Sequence, residues 1–261
     1  MGLAFLHHRA DMKNQIVAID LGTRTTTAVL LESRGAGNGF TLLNYLVWES
    51  PLDEKTWSRE LLADHFEKVL GELGTKTKRV VVVIGRGETF LRHAEFPLGT
   101  PSHLRKMIKL NPANFFQEEV VNYAFDCYVL PVRHLSPKPR GDQPSLNFNT
   151  LVGAAREHMV ADVEAAATMA GLTVEEITLS QVSHVNAFLL QPQAARQDGM
   201  VLLHIGLKNS IISILHNGEL KLSRVVDIGG DKFTSGLAES MNINYSTAEG
   251  IKLAIPDKVR D

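Results

Sequence analysis

Cysteine, long apolar runs and blocks of one charge are all scarce in this sequence. Cys127 is the only cysteine among 261 residues, which excludes an intramolecular disulfide and a zinc site built from several cysteines. The 27 Lys and Arg residues are balanced by 29 Asp and Glu residues. A near-neutral chain without a Lys/Arg block lacks the basic bias of a nucleic-acid groove, so we expect no nucleic-acid partner. No stretch approaches the roughly 18 apolar residues of a membrane span.

The start of the chain also lacks a recognisable targeting signal. Its apolar run is too short for a secretory signal and has no small-residue cleavage pattern, so we interpret residues 1–14 as a leader outside the fold. Apart from His7 and His8, the ten histidines show no spacing typical of metal ligands. Together with the single cysteine, these features predict a cytoplasmic protein.

Hydrophobic patterning predicts an α/β fold. Residues 15–20 and 25–32 have the pattern of an antiparallel hairpin, and a third strand, an amphipathic helix and a buried strand are predicted over 40–48, 58–73 and 80–84. This order of elements favours a mixed sheet covered by helices.

The sequence changes in character after residue 88. Strands are predicted over 90–96, 120–130 and 147–155, and helices over 98–109 and 156–170, with a proline-rich loop at 133–144. We interpret 89–172 as a small subdomain inserted into a first lobe that comprises 15–88 and 173–190. That lobe closes with a strand over 173–179 and a helix over 183–190. Residues 199–261 form the start of a second lobe with three strands and two helices.

A short motif occurs twice at a constant offset of 184 residues. In both copies an apolar strand enters a glycine turn, a basic residue follows two positions later, and a hydroxyl residue two positions after that. The copies contain Gly22, Arg24 and Thr26, and Gly206, Lys208 and Ser210. Internal duplication at this spacing indicates two related lobes.

Such a turn has the chemistry of a phosphate site. Glycine lets the backbone approach a phosphate, and successive N–H groups in a tight turn form an anion-binding nest. The basic residues Arg24 and Lys208 add positive charge, and Asp20 at the end of the first strand is placed to hold Mg²⁺ through water. Two facing hairpins would clamp a polyphosphate, although each alone is equally consistent with an ordinary turn.

With these hairpins the chain resembles the PilM branch of the actin-like ATPase superfamily and, more distantly, the FtsA proteins. The resemblance extends over residues 90–97, 104–108, 118–125 and 151–155, and over Arg224, Gly229-Gly230, Thr234 and 248–252. It implies two RNase H-like (actin-like ATPase) lobes, a small α+β subdomain inserted in the first, and ATP with Mg²⁺ bound between the lobes.

The resemblance also implies roles for individual residues. The first phosphate loop is matched by Asp20, Gly22, Thr23 and Thr26, and the second by Gly206 and Ser210. Glu249 and Lys252 match a pair that faces the ribose and adenine, and their i, i+3 spacing puts both side chains on one helix face. Gly229 and Gly230 are expected to free the backbone entering a helix, with a secondary role near the phosphates.

Two departures from the family pattern limit what the resemblance implies. His204 stands where the superfamily usually has an aspartate, and a neutral imidazole cannot supply the carboxylate that helps to order Mg²⁺ and the attacking water. We therefore expect a slow ATPase at most and assign no catalytic residue. Relatives continue with further strands, helices and a glycine-rich loop, so we expect the second lobe to be incomplete at its C-terminal side and to expose a sheet edge.

The function implied by this resemblance is that of a nucleotide-binding assembly protein at the inner face of the cytoplasmic membrane, in a type IV pilus or type II secretion-like platform. In PilM-like proteins the inserted subdomain presents a groove for the N-terminal cytoplasmic tail of a membrane partner, PilN. Membrane association would then occur only through partners, and self-association stays open. Two alternatives are a nucleotide-independent scaffold and a small-molecule kinase, which would need a general base near the γ-phosphate.

Overall fold

The computed structural model describes residues 15–34, 39–50, 58–85, 89–97, 99–112, 120–130, 147–191 and 198–254. The predicted leader and the predicted loop at 133–144 lie outside these residues. Within them the chain forms eleven strands and six helices. None of these helices combines the length and the apolar character that crossing a membrane requires.

The elements follow one another in three groups along the chain. The first group is β1 (Gln15–Leu21), β2 (Thr25–Ser33), β3 (Phe40–Glu49), α1 (Arg59–Leu73) and β4 (Arg79–Ile84). The second is β5 (Thr89–Pro97), α2 (Pro101–Leu110), β6 (Tyr123–Val129), β7 (Asn147–Arg156), α3 (Glu157–Met169), β8 (Thr173–Leu179) and α4 (Ser180–Leu189). The third is β9 (Gly199–Ile205), β10 (Ser210–His216), β11 (Glu219–Val226), α5 (Gly230–Met241) and α6 (Tyr245–Ala254).

These strands form three sheets. Five strands in the order β3-β2-β1-β4-β8 make a mixed sheet, in which β1 pairs antiparallel with β2 and parallel with β4. The other two sheets have the orders β5-β7-β6 and β11-β10-β9 and are antiparallel. We call the first sheet with α1, α3 and α4 the first lobe, the β5-β7-β6 sheet with α2 the inserted subdomain, and the β11-β10-β9 sheet with α5 and α6 the second lobe.

Apolar spacing explains where the core lies. Helix α1 begins after Ser58, whose side chain accepts a hydrogen bond from the Leu61 N–H, and ends at Gly74 in the left-handed conformation. Between these caps, Leu62 and Phe66 are completely buried against the first sheet. A separate core fills the inserted subdomain around Phe96, Leu104 and Ile108. The predicted mixed α/β architecture is confirmed.

Some element boundaries differ from the prediction, for local reasons. The strand predicted over 120–130 begins only at Tyr123, because Asn122 has a positive φ of 62° that interrupts an extended chain. The helix predicted over 183–190 begins at Ser180. The residue before it is Leu179, whose side chain cannot accept a capping hydrogen bond, so the usual start signal is missing.

Candidate functional site

The two glycine turns repeat each other in three dimensions. Leu21 pairs with Thr26 across the first hairpin, and Ile205 pairs with Ser210 across the second, each 184 positions further on. A Cβ atom on Gly22 would lie 2.4 Å from the Thr25 carbonyl oxygen, and one on Gly206 would lie 2.8 Å from the Asn209 carbonyl oxygen. Because real Cβ atoms do not approach backbone so closely, both turns require glycine. The duplication predicted from the sequence is confirmed in the geometry of the hairpins.

Asp20 lies at the end of β1 and faces away from the helices α1 and α3. It pairs with Thr27, whereas the neighbouring Leu21 and Thr26 are buried in the core, and side chains alternate between the two faces of a strand. Burial raises the pKa of Asp20 to about 6. Among the described residues, no lysine or arginine pairs with this carboxylate. A bound cation would supply the missing charge, so the carboxylate suits Mg²⁺.

The two duplicated hydroxyls are used inside their own lobes. Thr26 is completely buried, and its Oγ1 atom lies 2.7 Å from Nε2 of the buried His65. Ser210 donates from Oγ to the Ile228 carbonyl oxygen at 2.6 Å. Neither hydroxyl is therefore directed at a phosphate in this structure.

Helix α5 begins directly against the second hairpin. The Gly230 N–H donates to the Gly206 carbonyl at 2.8 Å, and the Asp231 N–H donates to the Leu207 carbonyl at 2.9 Å. A Cβ atom on Gly229 would lie 2.3 Å from that Leu207 oxygen. These contacts hold turn and helix together, and they use two helix N–H groups that would otherwise be free for an anion. Lys208 strengthens the junction through an ion pair with Asp231 at 3.0 Å.

Glu249 is the centre of a polar cluster on α6. Its Oε1 atom accepts a hydrogen bond from Arg24 Nη1 at 2.6 Å. Its Oε2 atom accepts one from Thr234 Oγ1 at 2.6 Å and lies 2.6 Å from Lys252 Nζ. The hydrogen bonds from Lys252, Thr234 and Arg24 lower the pKa of Glu249 to about 2. The predicted placement of Glu249 and Lys252 on one helix face is confirmed, whereas a contact to a nucleotide stays a prediction.

A second contact between the lobes involves two histidines. The rings of His184 on α4 and His204 on β9 stack with centroids 3.9 Å apart and an angle of 28°. Burial and the neighbouring His204 lower the pKa of His184 to about 4, and burial also lowers that of His204. A cavity of about 230 Å³ adjoins the pair. His204 thus contacts the first lobe from the position that corresponds to Asp20 in the duplicated motif.

A larger cavity of about 560 Å³ lies between the inserted subdomain and α3. Tyr123 and Phe125 of β6 form part of its lining, together with Arg105 of α2 and residues of α3. Arg105 is held in place by the buried carboxylate of Asp126, which accepts from its Nε at 2.7 Å. The Arg156 guanidinium lies 4.6 Å from the centre of the Tyr123 ring. We call this cavity the insert groove.

Contacts link several of the predicted residues where the lobes meet: Lys252 Nζ donates to the Gly230 carbonyl, and the Gly230 N–H donates to the Gly206 carbonyl. The pair formed by Arg24 and Glu249 shows that the first hairpin and α6 meet there. Several functional contacts had no place in the predicted set: Thr234, Asp231 and His184 with its stacked partner. For Thr234 a signal existed, because it lies one helical turn after Gly230 and therefore on the helix face that carries the cluster. The stacking of the two histidines depends on how the lobes meet, which the local pattern of the sequence does not give.

Two lobes built on duplicated hairpins, with a subdomain inserted in the first, define a protein of the actin-like ATPase fold. Within that class the chain belongs to one family: the model described as "Type IV pilus assembly protein PilM" matches residues 18–257.

Individual proteins are similar to this chain to different extents. A chain of a "PilM-PilN type IV pilus biogenesis complex" superposes with a TM-score of 0.73 at 20% identity, covering 93% of this chain and 70% of that one. A Bacteroides thetaiotaomicron protein with an actin-like ATPase fold gives a TM-score of 0.48 at 13% identity, covering 92% and 82%. Cell division protein FtsA of Streptococcus pneumoniae is 26% identical over 84 residues, which is 32% of this chain and only 18% of FtsA.

Proposed function

We propose that this member of the PilM family binds ATP with Mg²⁺ between its lobes and receives the cytoplasmic tail of a PilN-like membrane protein in the insert groove. It would act as a nucleotide-responsive assembly protein at the inner face of the cytoplasmic membrane. The observation that carries the nucleotide site is the meeting of the glycine turn beside Asp20 with the Glu249 cluster across one cleft.

The residues of this cleft suit the parts of MgATP. Asp20 would hold the cation, and the turns at Gly22 and Gly206 would lie against the phosphates. Glu249 and Lys252 would face the ribose and adenine, since they offer both acceptors and donors. The cation itself would neutralise phosphate charge. His204 supplies no second carboxylate, so binding rather than rapid turnover is the expected activity.

Calorimetric titration of MgATP tests this site. We expect saturable binding that weakens by on the order of tenfold in Asp20→Asn, the loss expected from one charge-assisted contact. Asp198→Asn, which removes the charge of an exposed aspartate, is the control and should bind like the parent. Absence of binding in the parent, or equal binding in Asp20→Asn, would contradict the proposal.

The partner site is proposed from the insert groove and from the PilM–PilN complex named above. The groove combines aromatic side chains with basic residues such as Arg105 and Lys109 and acidic residues such as Glu157, so an extended peptide with apolar side chains and mixed charge fits its chemistry. A labelled peptide of the partner's N-terminal tail should bind this chain in fluorescence anisotropy. Ala161→Glu, which fills the groove from α3, should abolish that binding, whereas Ser240→Glu at an exposed position of α5 should not. Equal binding by both variants would place the peptide elsewhere.

A nucleotide-independent scaffold is the alternative that a specific observation favours. The Ser210 hydroxyl and the first N–H groups of α5 all have partners within the second lobe. On this alternative, the peptide binds equally well to the parent and to Asp20→Asn, and MgATP leaves the thermal unfolding of both unchanged.

A further inference from the structure

Arg24 and Glu249 belong to different lobes. Arg24 lies in the first hairpin turn and Glu249 lies on α6, 225 positions later in the chain, yet their side-chain atoms are 2.6 Å apart. The Glu249 side chain is 11% exposed and that of Arg24 is 49% exposed. We call this contact the interlobe ion pair.

The duplicated motif supplies an internal comparison. Lys208 occupies the position of Arg24 in the second hairpin, but it pairs with Asp231, which belongs to the same lobe. Both basic residues follow a glycine turn of the same geometry. Arg24 reaches across the cleft, whereas the ion pair of Lys208 with Asp231 stays within one lobe, so the two residues differ in these partners rather than in the turn.

Glu249 does not need Arg24 to keep its place in the second lobe. Thr234 and Lys252 both contact Oε2, and Lys252 also donates to Thr234 Oγ1 at 2.7 Å. Arg24 alone contacts Oε1 among the described residues. Removal of Arg24 would therefore free one carboxylate oxygen and one contact between the lobes while the rest of the cluster stays intact.

We propose that the interlobe ion pair holds the two lobes together and that a nucleotide must displace it. Arg24 and the nucleotide compete for Glu249, and the lobes stay joined as long as Arg24 is bound to this carboxylate. This inference rests on the proposed nucleotide site and specifies its regulation. The competition is for position: the guanidinium, 2.6 Å from Oε1, lies on the side of this oxygen that faces the first lobe, and a nucleotide held between the lobes would have to approach Oε1 from that side. The apparent affinity for the nucleotide is then the intrinsic affinity multiplied by the fraction of molecules in which the ion pair is broken.

The sign of one affinity change tests the competition. Arg24→Ala should bind ATP about fivefold more tightly than the parent, the factor that corresponds to an ion pair of ~1 kcal/mol. Arg59→Ala is the matched control and should show no such gain, because the ion pair of Arg59 with Asp162 has the same length of 2.6 Å and a similar exposure but lies within the first lobe. Weaker ATP binding by Arg24→Ala would assign Arg24 to the phosphates and overturn the inference.

A distance measurement without nucleotide gives a second readout. Spin labels on Glu72→Cys in α1 and Ser240→Cys in α5, both at exposed positions, report the separation of the lobes. Cys127 is buried and burial raises the pKa of its thiol to about 11, so it stays unlabelled. Arg24→Ala should lengthen or broaden the distance distribution, and Arg59→Ala should not. An unchanged distribution in Arg24→Ala overturns the inference even if the parent binds no nucleotide, whereas that absence of binding alone overturns only the proposed nucleotide site.

Discussion

The hydrogen bond between Thr26 and His65 lies directly beneath the first glycine turn, inside the first lobe. Both side chains are almost completely removed from water, and burial lowers the pKa of His65, so the ring is neutral at pH 7. The 2.7 Å contact gives each residue a partner that water cannot supply. The hydroxyl of the motif thus supports the turn from the core instead of facing the cleft.

Replacement of Thr26 by valine separates these two roles. Thr26→Val keeps the shape of the side chain but leaves the buried imidazole without a partner, so we expect a loss of about 1–3 kcal/mol in the free energy of unfolding. The affinity for ATP should be unchanged. Urea unfolding and calorimetry measure the two quantities, with Thr173→Val at an exposed position of β8 as control. Unchanged stability together with lost ATP binding would show that the hydroxyl contacts the nucleotide.

At the scale of single residues, the sequence is informative where a side chain is chosen by its own turn or helix. Gly22 and Gly206 were predictable because these tight turns admit only glycine. Glu249 and Lys252 were identified from the family resemblance, and their helical spacing predicted only that they share one helix face. His65 and His184 were not, since each is defined by a contact with a distant part of the chain. A lone histidine gives no local pattern from which such a partner could be inferred.

Among the elements, the junction between the second hairpin and α5 brings backbone directly against backbone. The site for a Cβ on Gly229 is filled by the carbonyls of Leu207 and Gly206, whereas a Cβ on Gly230 meets its nearest atoms at an ordinary 3.7 Å. Neighbouring glycines that look equivalent in the sequence therefore differ in what they tolerate.

This difference can be measured directly. Gly229→Ala should push α5 away from the hairpin, break the two N–H bonds to its carbonyls and cost on the order of 2–4 kcal/mol in stability. Gly230→Ala should be nearly neutral, because it occupies free space and reduces the entropy of the unfolded chain. Thermal unfolding of both variants decides the matter. Equal destabilisation by the two substitutions would mean that the close approach at Gly229 is not what fixes the helix.

The order of the elements was predictable to a greater degree than their boundaries. Alternation of apolar residues identified β1, β2 and β4, and helical spacing between Ser58 and Gly74 identified α1. The start of α4 was not predictable, since Leu179 gives no capping signal and the helix begins directly after β8. Tertiary packing of β8 and α4 decides that boundary, and a single sequence carries no record of such packing.

For the whole molecule, the relation between the lobes depends on a few contacts of different chemistry. The interlobe ion pair joins the first hairpin to α6, the His184–His204 stack joins α4 to β9, and β5 of the inserted subdomain lies against β11. Where β5 and β11 meet, His93 of β5 is hydrogen-bonded to the backbone of Leu220 on β11. The same strand also carries Phe90, whose ring centre lies 5.4 Å from that of Tyr123 in the insert groove. Strand β5 therefore contacts both the second lobe and a residue that lines the groove.

The histidine stack should make the contact between the lobes sensitive to acid. Folding lowers the pKa of His184 to about 4 and also that of His204, so the folded chain binds fewer protons than the unfolded chain between about pH 4 and the ordinary value of 6.5. The stabilisation from the neutral pair is therefore complete above pH 6.5 and is lost as the pH falls towards 4, by on the order of 2 kcal/mol. His184→Phe keeps a ring in the stack but removes its titration.

We therefore expect the stability of His184→Phe relative to the parent to rise as the pH is lowered from 7.5 to 5, measured by urea unfolding at both values. His216→Phe, which removes an exposed histidine, is the control and should show no such rise. The comparison must be made between variant and parent, because burial raises the pKa of Asp20 and so contributes a change of opposite sign to the pH profile of every variant that keeps it. If the stabilities of His184→Phe and the parent change with pH in parallel, protonation of His184 does not destabilise the fold. Any loss of stability in acid would then come from other groups.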